Sequence, residues 1–401
     1  MGNGIRLVHT SDFHLGVSFV GIRGFRIQER RLEDFKRNII SIVDEAIRWG
    51  ADIFIVAGDI FHRVNPSPRE LVFIAEQFGR LIERRIHIIA IAGNHDKPKI
   101  PNTHNPLVAL DKAKAPFFKF VESLPDKPIV LEASSKRIGI VALPYINPYI
   151  VVRELERSYT GYIKEKVKLL VEKLDSYDVD YKILVAHTYI AGSRVGGYYI
   201  KPSIDEKIGI DALCPLEFDY IALGHIHTLQ KVRDNTYYSG SIERIDFSEE
   251  GEDKGFLTVK LIDGHVEVME HRLQCRRMVT KRISMHSLVS LSQLREILKN
   301  EVRGALLRLI IDAPPEVLEA LTRRYRELEN ILLNKLGVFG YTIKRLGMDM
   351  VYSEESKQIA ELRMSLDKLL REYIRKKIRD EALADKLYNL AVDVFRKVLG
   401  E

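Results

Sequence analysis

Short runs rich in Ile and Val alternate with longer helical patterns through the first 190 residues of the chain. Ile5–His9 and Asp52–Ala57 are too short for helices and have the composition of buried strands. Between such runs, Glu29–Trp49 and Pro68–Arg85 repeat apolar residues at helical spacing. Alternation of this kind predicts an α/β fold in layers, with much of its sheet covered on both faces. The same composition recurs in His87–Ala92, Ile138–Leu143 and Lys182–Ala186.

The helical patterns stop near residue 218. Residues 218–272 instead contain strand-like runs joined by Asp-Asn and Asp-Gly turns. The runs are Tyr220–Leu223, Thr236–Ser239, Gly255–Leu261 and His265–His271. We expect them to continue the sheet structure of the same domain, so that the first domain takes residues 1–274.

A basic stretch at 274–282 marks the expected entry into a smaller α+β domain, residues 275–350. Its predicted elements are a helix at Leu288–Asn300, a strand at Ala305–Asp312, a helix at Pro315–Leu333 and a strand at Tyr341–Arg345. Residues 351–401 then predict two amphipathic helices, because apolar residues recur there at steps of three and four. Their apolar faces must pack either on the chain itself or on a partner.

Composition narrows the class of protein. A length of 401 residues favours two or three domains. No apolar run reaches the roughly 20 residues that a spanning helix needs, and the N-terminus has no apolar segment of a secretory signal. Two cysteines cannot build a disulfide framework, which favours a reducing, cytoplasmic location. The net charge of +6 permits a polyanionic partner without requiring one.

Potential metal ligands follow five of the predicted strands, at the point where each strand ends. The i, i+2 pairs Asp12-x-His14 and His225-x-His227 place both side chains of a pair on one face of an extended segment. Ligands of α/β sheets gather outside the carboxyl ends of the strands, so these groups can share one crevice. Gly58, Gly93 and Gly224 precede ligands and allow tight turns. The expected donors are Asp12, His14, Asp59, Asn94, His187, His225 and His227.

Seven nitrogen and oxygen donors without a thiolate suit two divalent ions of the Mn, Fe or Zn type better than a structural zinc ion. One carboxylate must then bridge, and Asp59 is central in the order of motifs. Two such cations attract a phosphate ester and can stabilise both oxygens of an in-line displacement. His95 stands beside a donor without being one, which leaves it available for proton transfer.

The five motifs resemble the signature of the calcineurin-like metallophosphoesterases, a superfamily with a four-layer α/β/β/α sandwich and two metal ions. The motifs are Asp12-x-His14, Gly58-Asp59, Gly93-Asn94-His95-Asp96, His187 and Gly224-His225-x-His227. Within the superfamily, Ile60-Phe61-His62, Tyr238–Arg244 and Lys254-Gly255-Phe256 are similar to the double-strand-break repair nucleases, whose bacterial member is SbcD. One departure is Ala186, where many members have glycine.

The resemblance implies roles for individual residues. Asp12, His14, Asp59 and His227 would hold one metal ion, and Asp59, Asn94, His187 and His225 would hold the other. His95 matches the catalytic histidine that is not a ligand. His62 matches a histidine that orients DNA, although a supporting hydrogen bond is an equally good interpretation of this residue.

The resemblance further implies a Mn-dependent nuclease that acts on DNA ends and single strands as a homodimer, with two Mn²⁺ per chain. Residues 275–350 would cap the nuclease and touch DNA, and the C-terminal helices would dock on an ABC-type ATPase of the Rad-fifty or SbcC kind. Expected contacts to the DNA backbone are Lys97, Lys99, Arg276 and Arg277. Hydrolysis of small phosphate esters and a non-catalytic scaffold are the alternatives.

Overall fold

The computed structural model describes residues 4–19, 21–98, 103–196, 207–284, 291–299 and 301–346, with residues 374, 385, 387, 388 and 390. Two compact units divide the chain. The first comprises Met1–Thr280, Leu291–Arg308 and Arg326–Thr342, and the second comprises Lys281–Ser290, Leu309–Tyr325 and Ile343–Glu401. Apart from the five single positions, the predicted helices of residues 351–401 lie outside the described residues, and the division into three domains stays a prediction.

The helices and strands follow in chain order. The helices are α1 (Ile27–Trp49), α2 (Pro68–Glu83), α3 (Leu107–Lys112), α4 (Tyr159–Leu174), α5 (Leu291–Leu298), α6 (Pro315–Arg323) and α7 (Tyr325–Asn330). The first nine strands are β1 (Ile5–Thr10), β2 (Ile53–Val56), β3 (His87–Ile91), β4 (Phe118–Val121), β5 (Ile129–Ala133), β6 (Lys136–Leu143), β7 (Tyr181–His187), β8 (Tyr189–Ile190) and β9 (Lys207–Ile208). The remaining strands are β10 (Tyr220–Gly224), β11 (Gln230–Arg233), β12 (Thr236–Tyr238), β13 (Gly255–Ile262), β14 (His265–Arg272), β15 (Met278–Ser284), β16 (Leu306–Asp312) and β17 (Gly340–Leu346).

Two six-stranded sheets form the centre of the first unit. The first sheet has the order β14-β13-β1-β2-β3-β4, in which β1 to β4 are parallel, β13 is antiparallel to β1, and β14 is antiparallel to β13. The second has the order β11-β12-β10-β7-β6-β5, in which β6, β7, β10 and β12 are parallel. The segment 218–272 therefore continues the domain as predicted, but it supplies strands to both sheets. A smaller sheet has the order β15-β16-β17.

Side-chain alternation along the strands produces four layers. Ile183 and Val185 of β7 pack between the two sheets, whereas Leu184 and Ala186 pack on the side of α4. In the first sheet, Val8 faces the helical side with Phe35 of α1, and its neighbours Leu7 and Ile5 face the second sheet. A period of two places successive side chains on opposite faces, so each strand contributes to two apolar layers. The predicted α/β/β/α sandwich is confirmed.

The predicted strands and helices of the first 190 residues match the structure closely, and the differences have local causes. Helix α4 escaped prediction, although Ser158 caps its first turn by accepting a hydrogen bond from Gly161 N–H at 3.3 Å. The helix predicted over Pro315–Leu333 is wrong as a single element, because it is interrupted at Arg324, where the backbone leaves helical geometry. Among the described residues, no helix is both long and apolar enough to cross a bilayer.

Candidate metal centre

The carboxyl ends of five strands meet in the first unit. Strands β1, β2 and β3 belong to the first sheet, and β7 and β10 belong to the second. Backbone hydrogen bonds connect the loops that follow them: Asp12 N–H donates to the Gly58 carbonyl and His14 N–H to the Asp59 carbonyl, both at 2.9 Å. In the second sheet, Gly224 pairs with His187 across parallel strands. All seven expected donors therefore lie together, at the edges of two sheets.

The backbone reaches this arrangement through unusual conformations. Asp12, His14, Asp59 and His225 have φ angles of 51°, 43°, 54° and 98°, in the left-handed region that non-glycine residues rarely occupy. Such strain concentrates at functional sites, where the surrounding structure maintains it. This backbone strain accompanies an arrangement in which the four side chains are directed towards one point.

The glycines act in two different ways. Gly58 has a φ of 95° and supplies the tight turn expected from the sequence. Gly93 and Gly224 do not have positive φ, but a Cβ atom at Gly93 would lie 2.0 Å from Asp59 Oδ1, and one at Gly224 would lie 1.9 Å from the Ala57 carbonyl oxygen. These two glycines are needed for close approach between loops, so the expectation that their conformational freedom is required is wrong for them.

One half of the donor cluster, as we call the seven residues together, consists of Asp12, His14 and His227. The Nε2 atoms of the two imidazoles are 3.1 Å apart. Asp12 is fully buried, and its two carboxylate oxygens each lie 3.1 Å from His225 N–H, while Ser11 Oγ donates to Oδ2 at 2.5 Å. One ligand atom of each of the three residues falls within 4.8 Å of the others, a spacing that one cation can bridge.

The other half consists of Asn94, His187 and His225. Asn94 Oδ1 lies 3.1 Å from His187 Nε2 and 3.1 Å from His225 Nδ1. The other ring nitrogen of His187 donates to the Ala57 carbonyl at 2.8 Å, so that in the neutral ring Nε2 is the atom with a free lone pair. This half is the more open one, because Asn94 and His225 are only half-buried.

Asp59 lies between the two halves. Its Oδ2 atom is 3.5 Å from His14 Nε2 and 3.5 Å from His187 Nε2, and its Oδ1 accepts the His95 N–H at 2.9 Å. A single carboxylate oxygen thus faces one imidazole of each half. This position supports the assignment of Asp59 as the bridging ligand.

Burial and mutual proximity move the pKa values of these groups in opposite directions. Burial alone would raise the pKa of Asp59, but the His187 and His14 imidazoles hold it well below its ordinary value. Burial lowers the pKa of His225 to about 3. Burial also opposes protonation of His187, yet Asp59 and Asp12 raise its pKa to about 9. Without a metal ion, protons must therefore distribute unevenly over the cluster.

Two histidines that are not expected ligands lie at the rim. The rings of His62 and His95 stack with centroids 4.7 Å apart, and His95 Nδ1 is 3.0 Å from the His62 carbonyl oxygen. His62 Nδ1 also lies 3.3 Å from His14 Nδ1. Both rings are half-buried. His62 therefore contacts the donor His14 directly, in agreement with its supporting interpretation, while its contact with DNA stays a prediction.

Sequence reasoning missed two buried acids behind the donors. Asp96 accepts the N–H groups of Ile60, Phe61 and Gly93 at 2.9–3.1 Å and so ties the second loop to the third. Glu249 Oε1 lies 2.7 Å from His227 Nδ1. The position of Asp96 within the third motif could have suggested its role. Glu249 is not part of a recognised motif, and 22 residues separate it from its partner, so no direct signal in the sequence indicated this contact.

The donor chemistry fits divalent cations. His227 Nδ1 and His187 Nδ1 both have hydrogen-bond acceptors, so in the neutral rings each Nε2 has a lone pair that faces the donor cluster. His227 Nε2 faces His14 Nε2, and His187 Nε2 faces carboxylate and amide oxygens. Acceptors opposed in this way repel one another unless a proton or a cation lies between them. Borderline nitrogen and oxygen ligands suit Mn, Fe or Zn ions.

The residues expected to contact DNA differ in their exposure and in their partners. Lys97 is half-buried and its Nζ donates to the Tyr145 carbonyl at 3.1 Å, whereas Lys99 lies outside the described residues. Arg277 is exposed and donates to the Glu301 carbonyl. Arg276 instead binds Asp34 at 2.6 and 3.0 Å and lies 3.8 Å over the Phe339 ring. Arg276 therefore has a structural role, and its contact with DNA stays a prediction.

A family model for calcineurin-like phosphoesterases matches residues 5–229, more than half of the 401 residues. The chain belongs to this family. Its members are metal-dependent hydrolases that bind two divalent ions, and the matched segment contains all seven donors, His62 and His95.

Solved structures similar to the chain include the protein TT1561 of Thermus thermophilus. That protein is 16% identical, with a TM-score of 0.38, and the match covers 67% of this chain and 99% of that one. A dimetal phosphatase from Danio rerio is 10% identical, with a TM-score of 0.35 and coverage of 67% and 96%. At TM-scores below 0.5, neither similarity bears on the function of the present chain.

Proposed function

We propose that this phosphoesterase is a Mn-dependent nuclease that cleaves DNA ends and single strands during double-strand-break repair. The main support for the proposal comes from the residues that contact the donor His227. The runs Tyr238–Arg244 and Lys254–Phe256, which are similar to the repair nucleases, flank the segment that supports this donor. Lys254 Nζ donates to the His227 carbonyl at 3.1 Å and lies 2.9 Å from Glu249 Oε2. Lys254, from one of the two runs similar to the nucleases, therefore supports a donor of the site.

The residues of the chain suit a phosphodiester substrate. Bound divalent ions would supply a nucleophile and neutralise charge on the phosphate. Two contacts hold His95 in place: its backbone N–H donates to Asp59, and its ring Nδ1 contacts the His62 carbonyl. The other ring nitrogen, Nε2, does not take part in the contact with the His62 carbonyl. It can give a proton to the leaving oxygen, a role worth about 10²- to 10⁴-fold in rate.

Cationic side chains near the rim suit a nucleic-acid backbone. Arg63 follows His62, is exposed, and lies 4.0 Å from Glu70. Lys97 follows the third motif, two residues after His95. Neither belongs to a base-reading motif, so we expect recognition of phosphates and shape, with affinity that falls steeply as salt increases.

The test is digestion of end-labelled duplex and single-stranded DNA by the purified chain with Mn²⁺, with Mg²⁺ and with chelator. A chromogenic phosphate diester and a monoester serve as small substrates. We expect Mn-dependent shortening of DNA that His95→Ala abolishes and that His265→Ala, a change at an exposed histidine of β14, leaves intact. Hydrolysis of the small esters with no cut in either DNA would overturn the nuclease proposal and leave the family assignment standing.

We also propose that the chain works as a homodimer in the cytoplasm and docks on an ABC-type ATPase through residues 351–401. The docking rests on the sequence pattern of the terminal helices, the dimer on the resemblance to the repair nucleases, and the location on the low cysteine content. Truncation before Ser353 should preserve DNA cleavage and abolish co-purification with the ATPase. If the truncated chain still binds the ATPase in a pull-down, the helices have another role. Analytical ultracentrifugation of the full chain tests the dimer directly.

A further inference from the structure

A buried ion pair, Glu249 and Lys254, contacts the donor His227 at both its ring and its backbone. Glu249 Oε1 lies 2.7 Å from the ring Nδ1, and Glu249 Oε2 lies 2.9 Å from Lys254 Nζ. Lys254 Nζ also donates to the His227 carbonyl oxygen at 3.1 Å. The Lys254 side chain is 0% exposed and that of Glu249 is 9% exposed. The three residues thus form a closed loop of contacts.

We propose that Glu249 and Lys254 are positioning residues that make His227 the stronger imidazole ligand of the metal centre. Glu249 accepts the Nδ1 proton of His227 and so presents Nε2 to the metal. A carboxylate acceptor increases the basicity of a ligating imidazole and fixes the orientation of its ring. Lys254 holds the Glu249 carboxylate in place through its contact with Oε2.

The comparison with His187 makes the inference specific. Both imidazoles direct Nε2 towards the donor cluster, but His187 Nδ1 donates to a neutral carbonyl, that of Ala57, at 2.8 Å. Among the donor histidines that the structure describes, only His227 has a carboxylate partner that is not itself one of the seven donors. Glu249 and Lys254 also lie beyond the family match, which ends at residue 229. The proposal concerns the metal centre and does not depend on DNA as the substrate.

Glu249→Gln is the decisive variant, because the amide retains the size and an acceptor oxygen but removes the charge. Glu252→Gln is the matched control: Glu252 Oε2 pairs with the same Lys254 at 2.8 Å, and the structure shows no contact between Glu252 and His227 among the described residues. Titration calorimetry of each metal-free protein with Mn²⁺ alone measures the two binding steps. Circular dichroism verifies that each variant is folded.

We expect Glu249→Gln to weaken one of the two Mn²⁺ steps by about 10- to 100-fold and to leave the other near wild type. Glu252→Gln should change both steps by no more than about twofold. At saturating Mn²⁺, hydrolysis by Glu249→Gln should recover, because the ligand itself remains. Equal losses in the two variants, or two unchanged steps in Glu249→Gln, would overturn the proposal.

A measurement on the wild-type chain avoids dependence on variants. In the zinc-loaded protein with ¹⁵N-labelled histidine, the long-range ¹H–¹⁵N spectrum distinguishes ring nitrogens that bear a proton from those that bind metal. His227, assigned by the loss of its signals in His227→Asn, should have a protonated Nδ1 and a metal-bound Nε2. An unprotonated or metal-bound Nδ1 would refute the role of Glu249.

Discussion

Two clusters of buried ionisable groups lie in the first unit, and they differ in charge balance. The arginine cluster pairs Arg31 and Arg276 with Asp34 and Glu243. In the donor cluster, two carboxylates instead face imidazoles, whose charge depends on protonation. The first cluster is complete within the chain, whereas the second needs cations from solution.

The pKa values of the acidic and imidazole groups differ between the two clusters. Burial by itself would raise the pKa of Asp34, but the hydrogen bond from Arg276 and the charge of Arg31 lower it. In the donor cluster, burial raises the pKa of Asp12 and lowers that of His14 well below its ordinary value. The arginine cluster thus keeps its carboxylate ionised, whereas the donor cluster is divided: the pKa shifts favour the neutral forms of Asp12 and His14 but the charged forms of Asp59 and His187. A buried cluster of ionisable groups with shifted pKa values and no balancing arginine or lysine among the seven donors is typical of a functional site.

The largest expected effect is that of Asp59→Ala. This change removes the oxygen that faces both halves of the donor cluster, so both metal ions should be lost and hydrolysis should fall to the level of chelator-treated wild type. Metal content by mass spectrometry and hydrolysis rates check the outcome. Asp34→Asn, in the arginine cluster, is the control and should retain its metal. Near-wild-type cleavage by Asp59→Ala in Mn²⁺ would show that the bridging assignment is wrong.

His95→Ala tests whether proton transfer by His95 can be separated from metal binding by the seven donors. The side chain is not among the seven donors, so metal content should remain at wild-type level. The rate at saturating substrate should fall by about 10²- to 10⁴-fold, since a positioned proton donor is lost. Loss of metal together with rate would instead make His95 a ligand.

Asp34→Asn should reduce stability and leave the metal centre unaffected. The change removes the carboxylate that pairs with the Arg276 side chain, and it leaves Arg31 with Glu243 at 3.5 Å and the Arg244 carbonyl at 2.7 Å. Breaking a buried pair in this way costs about 3–5 kcal/mol. Denaturant unfolding of the metal-free protein measures the loss, and Mn²⁺ titration should show unchanged affinities. A stability equal to wild type would mean that the arginine cluster is not the structural counterpart that we describe.

Metal addition should stabilise the protein by completing the donor cluster. At free Mn²⁺ of 100 times the dissociation constant, the gain is about 2.7 kcal/mol per site. Because the His187 pKa is raised to about 9, Mn²⁺ must displace a proton at pH 7, so affinity should rise with pH up to that value. Calorimetry in buffers of different ionisation enthalpy counts the released protons. Affinity that is constant between pH 6 and 9 would contradict this assignment.

The sequence by itself determined the α/β class, the strands that end in potential ligands and the seven side chains that meet at those ends; metal binding by these seven stays a prediction. These are local properties: a run such as Ile5–His9 has the composition of a strand, and Asp12-x-His14 has its spacing, wherever the chain folds. The continuity of the sheets through residues 218–272 was equally predictable. Helix α4 was overlooked, although its cap and apolar spacing were present in the sequence.

Only the tertiary structure decided which groups complete the site. The parallel strands β1, β2 and β3 and the strands β7 and β10 occupy different sheets, and stacking of those sheets places Asp59 between His14 and His187. The partnership of Glu249 with His227 likewise depends on the path of the chain between β12 and β13. Contacts between distant segments follow from packing rather than from spacing, so no pattern of neighbouring residues can specify them.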